Sequence, residues 1–431
     1  MFAVLQSSWA LLFGMFLLMV GNGLQGSLLG VRGAIEGFDP GILSYVISAY
    51  FLGFLGGSRL APTLILYVGH VRVFAAMGSL ISAAFVLYAA IPDLVAWGVL
   101  RFIVGFCFSC VYIVAESWLN AAADNRTRGK ALALYMVVQM LGIVCAQIAL
   151  NFADPGGYTL FVLISVLVSI SFTPILLSAA PAPAVQRTPR MTLSRLFRTS
   201  PLGFTGSVLV GAVYAALFGM SAVYGTQRGL SIVEISAFVA SIYVGGLVLQ
   251  WPIGWLSDRM DRRRLIIILS GGCMAVCGAA IAFSDSAIAL YVVALAIGGT
   301  VNPLYALMLA HTNDFLEQED MPSASAGLIF IGGVGAIGGP VIVGQMMQLL
   351  GAWAFFLYVM LCMGSIVGYG LYRMTRRSAV DPAETGAHAA ITPSIGPVAM
   401  EAAQEYASEK MPESHGSVNT DSNLDKTTPN T

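Results

Sequence analysis

Apolar residues do not alternate along this chain; they run together in long stretches broken by Gly, Pro and short charged turns. Stretches 9–30 and 158–174 are almost unbroken. A helix needs about 20 apolar residues to cross a bilayer core. Reading between the breaks predicts spans near 8–31, 41–61, 71–91, 94–118, 129–152 and 158–179. A second set falls near 202–225, 235–256, 265–284, 287–311, 324–347 and 352–373. Only helices and closed barrels satisfy their own backbone hydrogen bonds in lipid. A barrel would show short alternating strands. The pattern therefore predicts an all-α integral membrane fold with twelve transmembrane helices.

Two segments break it. Residues 181–201 are rich in Pro and Arg and read as a cytoplasmic linker between an N-terminal six-helix bundle, 1–180, and a C-terminal one, 202–373. Residues 374–431 are polar, bury too little to fold, and read as a disordered cytoplasmic tail. The N-terminus has no basic segment ahead of its apolar stretch, which is too long for a cleaved signal.

Composition sharpens the picture. The chain is 57% hydrophobic and 10% charged, against about 25% charged in soluble domains. A net charge of -1 gives no basic field for nucleic acid. All six cysteines lie in apolar segments; Cys107 and Cys110 form a CxxC with no second pair and no nearby His, so packing is favoured over metal or redox chemistry. No metal and no cofactor is expected. Arg101 lies inside the fourth span, and apart from it only Arg32 and Arg228 fall opposite the other basic residues. Lys/Arg-rich loops face the cytoplasm, so both termini are expected there. The loop 312–323 is cytoplasmic by count yet acidic, and acidic residues weigh little in that rule.

The halves repeat at one offset. Leu24 pairs with Leu217, Gly26 with Gly219, Ser48 with Ser241, Tyr50 with Tyr243, Gly53 with Gly246, Gly105 with Gly298, Tyr112 with Tyr305 and Gly142 with Gly335. Parallel six-span repeats place a cavity between two rocking halves.

Residues 254–263 read Gly-Trp-Leu-Ser-Asp-Arg-Met-Asp-Arg-Arg. This resembles the loop signature G-x-x-x-D-R-x-G-R-R of the major facilitator superfamily, with Asp261 for its second Gly. The resemblance implies a transporter fold of two pseudo-symmetric six-helix bundles and a gating role for Asp258, Arg259, Arg262 and Arg263. The matching loop, Gly69-His-Val-Arg72, has no Asp. Arg101-Phe-Ile-Val-Gly105 resembles the family's R-x-x-x-G element. Glu116, ahead of Arg126 and Arg128, resembles a charge relay at the end of the fourth span in sugar porters; a proton-carrying role is the alternative. Gly69–Arg72, Glu116-Ser-Trp-Leu-Asn120, Ala310-His-Thr-Asn-Asp314 and 333–340 together resemble the YcaD-like bacterial subgroup.

An intramembrane Arg costs about 2.5–3.5 kcal/mol on insertion scales and faces protein or water. Arg101 and Tyr112 are therefore cavity candidates, with capping or snorkelling as the plainer reading of Arg101. The neutral candidates are Asn22 and Gln25 in span 1, Tyr135 and Gln139 in span 5, and Tyr214 in span 7. Span 8 adds Tyr243 and Gln250, and span 10 adds Asn302 and Tyr305. Each could instead join helices to one another. Residues 332–340 are glycine-rich but lack the Lys-Ser/Thr ending of a phosphate loop. Span 5 lacks the Gly-Pro element of drug antiporters.

The expectation is a monomeric secondary transporter of the bacterial inner membrane, moving a small solute by alternating access with H+ coupling. A facilitator, a transporter-derived sensor and a membrane-embedded enzyme are the alternatives. The last would need a His, Asp or Glu cluster at one membrane face, which four scattered His do not provide.

Overall fold

The computed structural model describes residues 2–122, 128–176, 191–283 and 286–376. Among them it is all helix: α1 (Phe2–Ile35), α2 (Pro40–Val68), α3 (His70–Ala90), α4 (Leu94–Ala122), α5 (Arg128–Ala149), α6 (Thr159–Leu176), α7 (Leu193–Thr199), α8 (Pro201–Gln227), α9 (Ile232–Ser257), α10 (Arg262–Phe283), α11 (Ala287–Asn313), α12 (Met321–Leu350) and α13 (Ala354–Met374). A 3-10 turn, Gln318–Asp320, precedes α12. All but α7 are long and apolar enough to span a membrane, giving 12 spans.

The ends of the helices follow local chemistry. Pro40 opens α2, where a missing N–H costs nothing. Ser231 and Glu234 cap α9 reciprocally. Prolines 62, 174, 252, 303 and 340 stand inside α2, α6, α9, α11 and α12, where neighbouring helices can re-satisfy the backbone. The tract 191–201, read as linker, contains α7 and the start of α8. Thr192 caps α7, and Leu196 buries itself against Gly327. Residues 177–190 and the tail beyond 376 lie outside the described residues.

Helices α1–α6 pack mainly with one another, as do α8–α13. The tightest contact in each half is between its second and fourth span. At Gly105 a Cβ would run into the Tyr50 carbonyl, and at Gly298 into the Ile242 carbonyl. Only glycine lets the two backbones approach this closely. These contacts also refine the repeat: Gly105 and Gly298 correspond, but their partners show α9 slipped by one residue relative to α2. Ile242, not Tyr243, takes the place of Tyr50.

The halves meet along α2–α12, α1–α8 and α5–α9. Most of the bonds across this seam lie toward one end, that of the α1–α2 and α5–α6 turns. There Ser48 Oγ donates to Ile337 O at 2.5 Å, Gln345 Nε2 to Gly41 O at 3.1 Å, and Asn151 Nδ2 to Ser236 Oγ at 3.0 Å. Gly30 lies against Ala222 and Gly344 against Ser44. At the opposite end, where α7 lies, Arg59 of α2 sits over the Phe330 ring of α12 at 4.2 Å. Helices α4 and α11, one from each half, make no extensive contact with each other.

Candidate functional site

At mid-depth the seam holds a partly open cavity of about 770 Å³, connected solvent included. The first half lines it with Asn22, Tyr50, Phe51, Phe54, Tyr112 and Ile143, and the second with Tyr214, Phe218, Tyr305, Ile329 and the glycines 211, 332 and 333. Seven of its 16 lining residues are aromatic. Tyr50 stacks on Phe218 across the seam at 6.0 Å, and Phe218 stacks on Tyr214 at 6.4 Å. Polar groups are few, as in most small-molecule sites. Asn22 Nδ2 donates to Tyr112 Oη at 3.4 Å, and Tyr112 Oη donates to Met19 Sδ at 3.2 Å.

Of the residues singled out from the sequence, Asn22, Tyr112, Tyr214 and Tyr305 line this cavity. Arg101 and Gln25 stand behind its wall. Both are completely buried, and neither has a hydrogen-bond partner among the described residues. The Arg101 guanidinium lies over the Tyr50 ring at 5.1 Å, a contact worth more when desolvated. Tyr50 thus separates Arg101 from the cavity. Tyr88 of α3 lies beside both Arg101 and Gln25.

Tyr135 and Gln139 are buried on α5, and Tyr243 and Gln250 on α9; none lines the cavity. Asn302 lies against Gly246, and its Nδ2 donates to Gly298 O at 3.0 Å, which ties it to the α9–α11 contact.

Glu116 is buried one turn along α4 from Tyr112 and within electrostatic reach of Tyr135. Arg126 lies outside the described residues. Arg128 opens α5, but its side chain is outside them too. Asp258 closes α9 at its C-terminus. Arg259, just past the end of α9, lies over the Trp255 ring of that helix at 4.1 Å and donates to the Trp255 carbonyl at 3.2 Å. Arg263 N donates to Asp261 Oδ1 at 2.9 Å, and its guanidinium lies 3.8 Å from the same oxygen.

Arg262 makes a buried charge contact. It pairs with Asp314 at the end of α11 and donates to Ala310 O at 3.2 Å, with both charged side chains buried. Burial pushes the Asp314 carboxyl up to about 6, against the pull of Arg262. From the sequence alone Asp314 reads as part of an acidic loop, and Tyr50, Tyr88 and Phe218 are not among the site candidates. For Asp314 the available signal was an acid just past one span and an Arg opening the preceding one. For Tyr50 it was its place in the repeat.

The profile of the Major Facilitator Superfamily matches residues 11–246 and 229–404. The chain therefore belongs to that superfamily, a family of membrane transporters and not of enzymes. Among curated relatives, an uncharacterized MFS-type transporter from Enterobacter sp. (strain 638) is 27% identical over 348 residues, 78% of this chain and 88% of that one. The MFS-type transporter YcaD of Escherichia coli (strain K12) is 24% identical over 345 residues, 80% and 89% of the two chains. These relatives support a place in the YcaD-like subgroup. Among solved structures, the nucleoside transporter NupG has a TM-score of 0.70 at 13% identity, covering 86% of this chain and 98% of that one. A bacterial homologue of the lysosomal transporter Spinster, inward-facing and unoccupied, scores 0.67 at 12% identity, with coverage of 95% and 99%. These last two likenesses show the shared fold.

Proposed function

We propose that the chain moves a small solute across the cytoplasmic membrane by alternating access, coupled to H+. The observation that carries this is the central cavity, built by both halves and sealed at one end by Ser48, Gln345 and Asn151. Under the positive-inside rule the sealed end is periplasmic, so the described state favours the cytoplasmic side. Rocking about the seam would break the seal and bring α4 and α11 together. The aromatic wall suits a cargo with a flat or apolar body.

Glu116 is the candidate proton carrier. It is a buried carboxylate one helical turn from Tyr112 of the cavity wall, and intramembrane carboxylates serve as proton relays in pumps and transporters. The test is flux in proteoliposomes with a metabolite panel, with and without a pH gradient. Wild type should accumulate cargo only under the gradient. Glu116→Gln should equilibrate it without accumulation. Accumulation by the variant equal to wild type would remove Glu116 from the role and leave the loop relay as its function.

A further inference from the structure

We propose that the cargo is an amphipathic organic anion, a carboxylate on an aromatic or apolar body, for which Arg101 supplies the counter-charge from behind Tyr50. The proposal deepens the transporter reading and rests on it.

The argument starts from a charge without a counter-ion. Arg101 is completely buried, and its Nε, Nη1 and Nη2 have no hydrogen-bond partner among the described residues. The groups that act on it electrostatically are the Tyr88 and Tyr50 phenols, not a carboxylate. Glu116 lies fifteen residues along the same helix, roughly 22 Å away by helical rise. A buried charge is ordinarily paired or hydrogen-bonded. This one has neither kind of partner among the described residues.

The surroundings fit one kind of missing group. A guanidinium only donates. Beside it Gln25 Nε2 and Oε1 and the Tyr88 hydroxyl lie close to one another, all buried and none in a well-formed hydrogen bond among the described residues; one amide oxygen and one phenol do not balance the guanidinium and amide N–H groups. The chamber thus holds a surplus of donors and a net positive charge. An ionised carboxylate is acceptor-only, and its fork matches guanidinium in a bidentate pair. Water would satisfy some donors but leave the charge standing. A cationic cargo would meet repulsion, and a neutral one would leave Arg101 as it is.

Tyr50 connects chamber and cavity. One side of its ring faces Arg101 at 5.1 Å and it stacks on Phe218 at 6.0 Å, so it is the wall between them. A side-chain rotation of Tyr50 would admit a carboxylate to Arg101, while the cargo's body stays among Phe54, Tyr214 and Tyr305. The second half offers no rival charge: by the repeat, Ala294 stands where Arg101 would be and Phe218 where Gln25 would be. The cargo would therefore bind with its anionic end toward the first half.

The test measures binding to the purified full chain in nanodiscs, by titration calorimetry and by thermal unfolding. It uses matched acids and amides: benzoate with benzamide, 4-phenylbutyrate with its amide, and indole-3-acetate with indole-3-acetamide. At least one acid should bind ten-fold or more tighter than its amide. Arg101→Gln should abolish that preference, and Arg101→Lys should keep part of it. Equal binding of acids and amides, no binding by any acid, or wild-type acid affinity in Arg101→Gln would overturn the proposal. Should Arg101→Gln fail to fold, the wild-type acid and amide pairs and Arg101→Lys still decide. Flux separates the two readings. Acid binding with no flux in proteoliposomes would sink the transporter reading and leave the Arg101 site standing. Flux that ignores cargo charge would sink only the anion.

Discussion

The two halves share a backbone plan and differ in what they bury. In both, the second and fourth spans touch through a glycine, Gly105 in one and Gly298 in the other. Beyond that common contact the first half buries Arg101, Gln25, Asn22, Tyr135 and Glu116. At the positions the repeat assigns to these, the second half places Ala294, Phe218, Ala215, Leu328 and Leu309. The second half keeps its charge at the membrane edge instead, in the buried Arg262–Asp314 pair. Helix packing was therefore retained in both copies, whereas the buried Arg101 and Glu116 sit in one and the Arg262–Asp314 ion pair at the membrane edge of the other. A duplicated scaffold tolerates this because its glycine contacts set the backbone distance whatever the polar residues are.

The largest break in this comparison is predicted at the edge lock. Arg262→Ala leaves a buried Asp314 without its cation and should cost about 3–5 kcal/mol. Arg72→Ala, an exposed Arg in the first turn of α3, should cost within about 0.5 kcal/mol. Thermal unfolding in detergent measures both, and equal losses would show that the lock does not carry the difference.

Next come the shared glycines. Gly105→Ala and Gly298→Ala each force a methyl against a backbone carbonyl, so each should lose about 1–3 kcal/mol. A large loss in one half alone would contradict a common scaffold.

A third effect depends on pH. Burial raises the Asp314 carboxyl from 3.8 to about 6, so between those values the folded chain holds a proton that the unfolded chain releases. Stability should fall as pH rises through this window and level off above it. Asp314→Asn should flatten that segment of the stability profile, and an unchanged slope would exclude Asp314 as its source.

The smallest effect distinguishes packing from recognition. Asn302→Ala should cost about 0.6 kcal/mol, the average for a polar contact between membrane helices, and leave cargo affinity unchanged. Asn22→Ala should lower cargo affinity with little loss of stability. Ligand titration alongside thermal unfolding separates the two, and the reverse pattern would exchange their roles.

Much of this was legible before any coordinates. The twelve spans follow from the lengths of apolar runs, and Arg101 marks itself because charge inside a span is costly. Asn22, Tyr112, Tyr214 and Tyr305 on the cavity wall follow from polarity at depth and from the repeat. What was hidden depends on which helices become neighbours. Tyr50 in an apolar run looks like packing until α4 brings Arg101 to one side of it and α8 brings Phe218 to the other. Asp314 looks like a solvated loop acid until Arg262 reaches it from another helix. The short α7 was lost in a Pro- and Arg-rich tract because its cap and one buried Leu196 are too brief a signal. The repeat was legible but not its slip, since one residue of offset shows only when Gly298 meets Ile242.

The central claim is that the halves rock about the shared cavity, and the α5–α9 pair reports it most directly. These helices join at one end through Asn151 and Ser236. Spin labels at Phe152 and Val233, both exposed there, would read the sealed end, and labels at Lys130 and Leu256 the opposite one. Distance distributions by electron double resonance in liposomes, with and without cargo, should show two states. In one, the Phe152–Val233 distance is short and the Lys130–Leu256 distance long; in the other, the order is reversed. A single fixed distance at both ends under every condition would contradict the account.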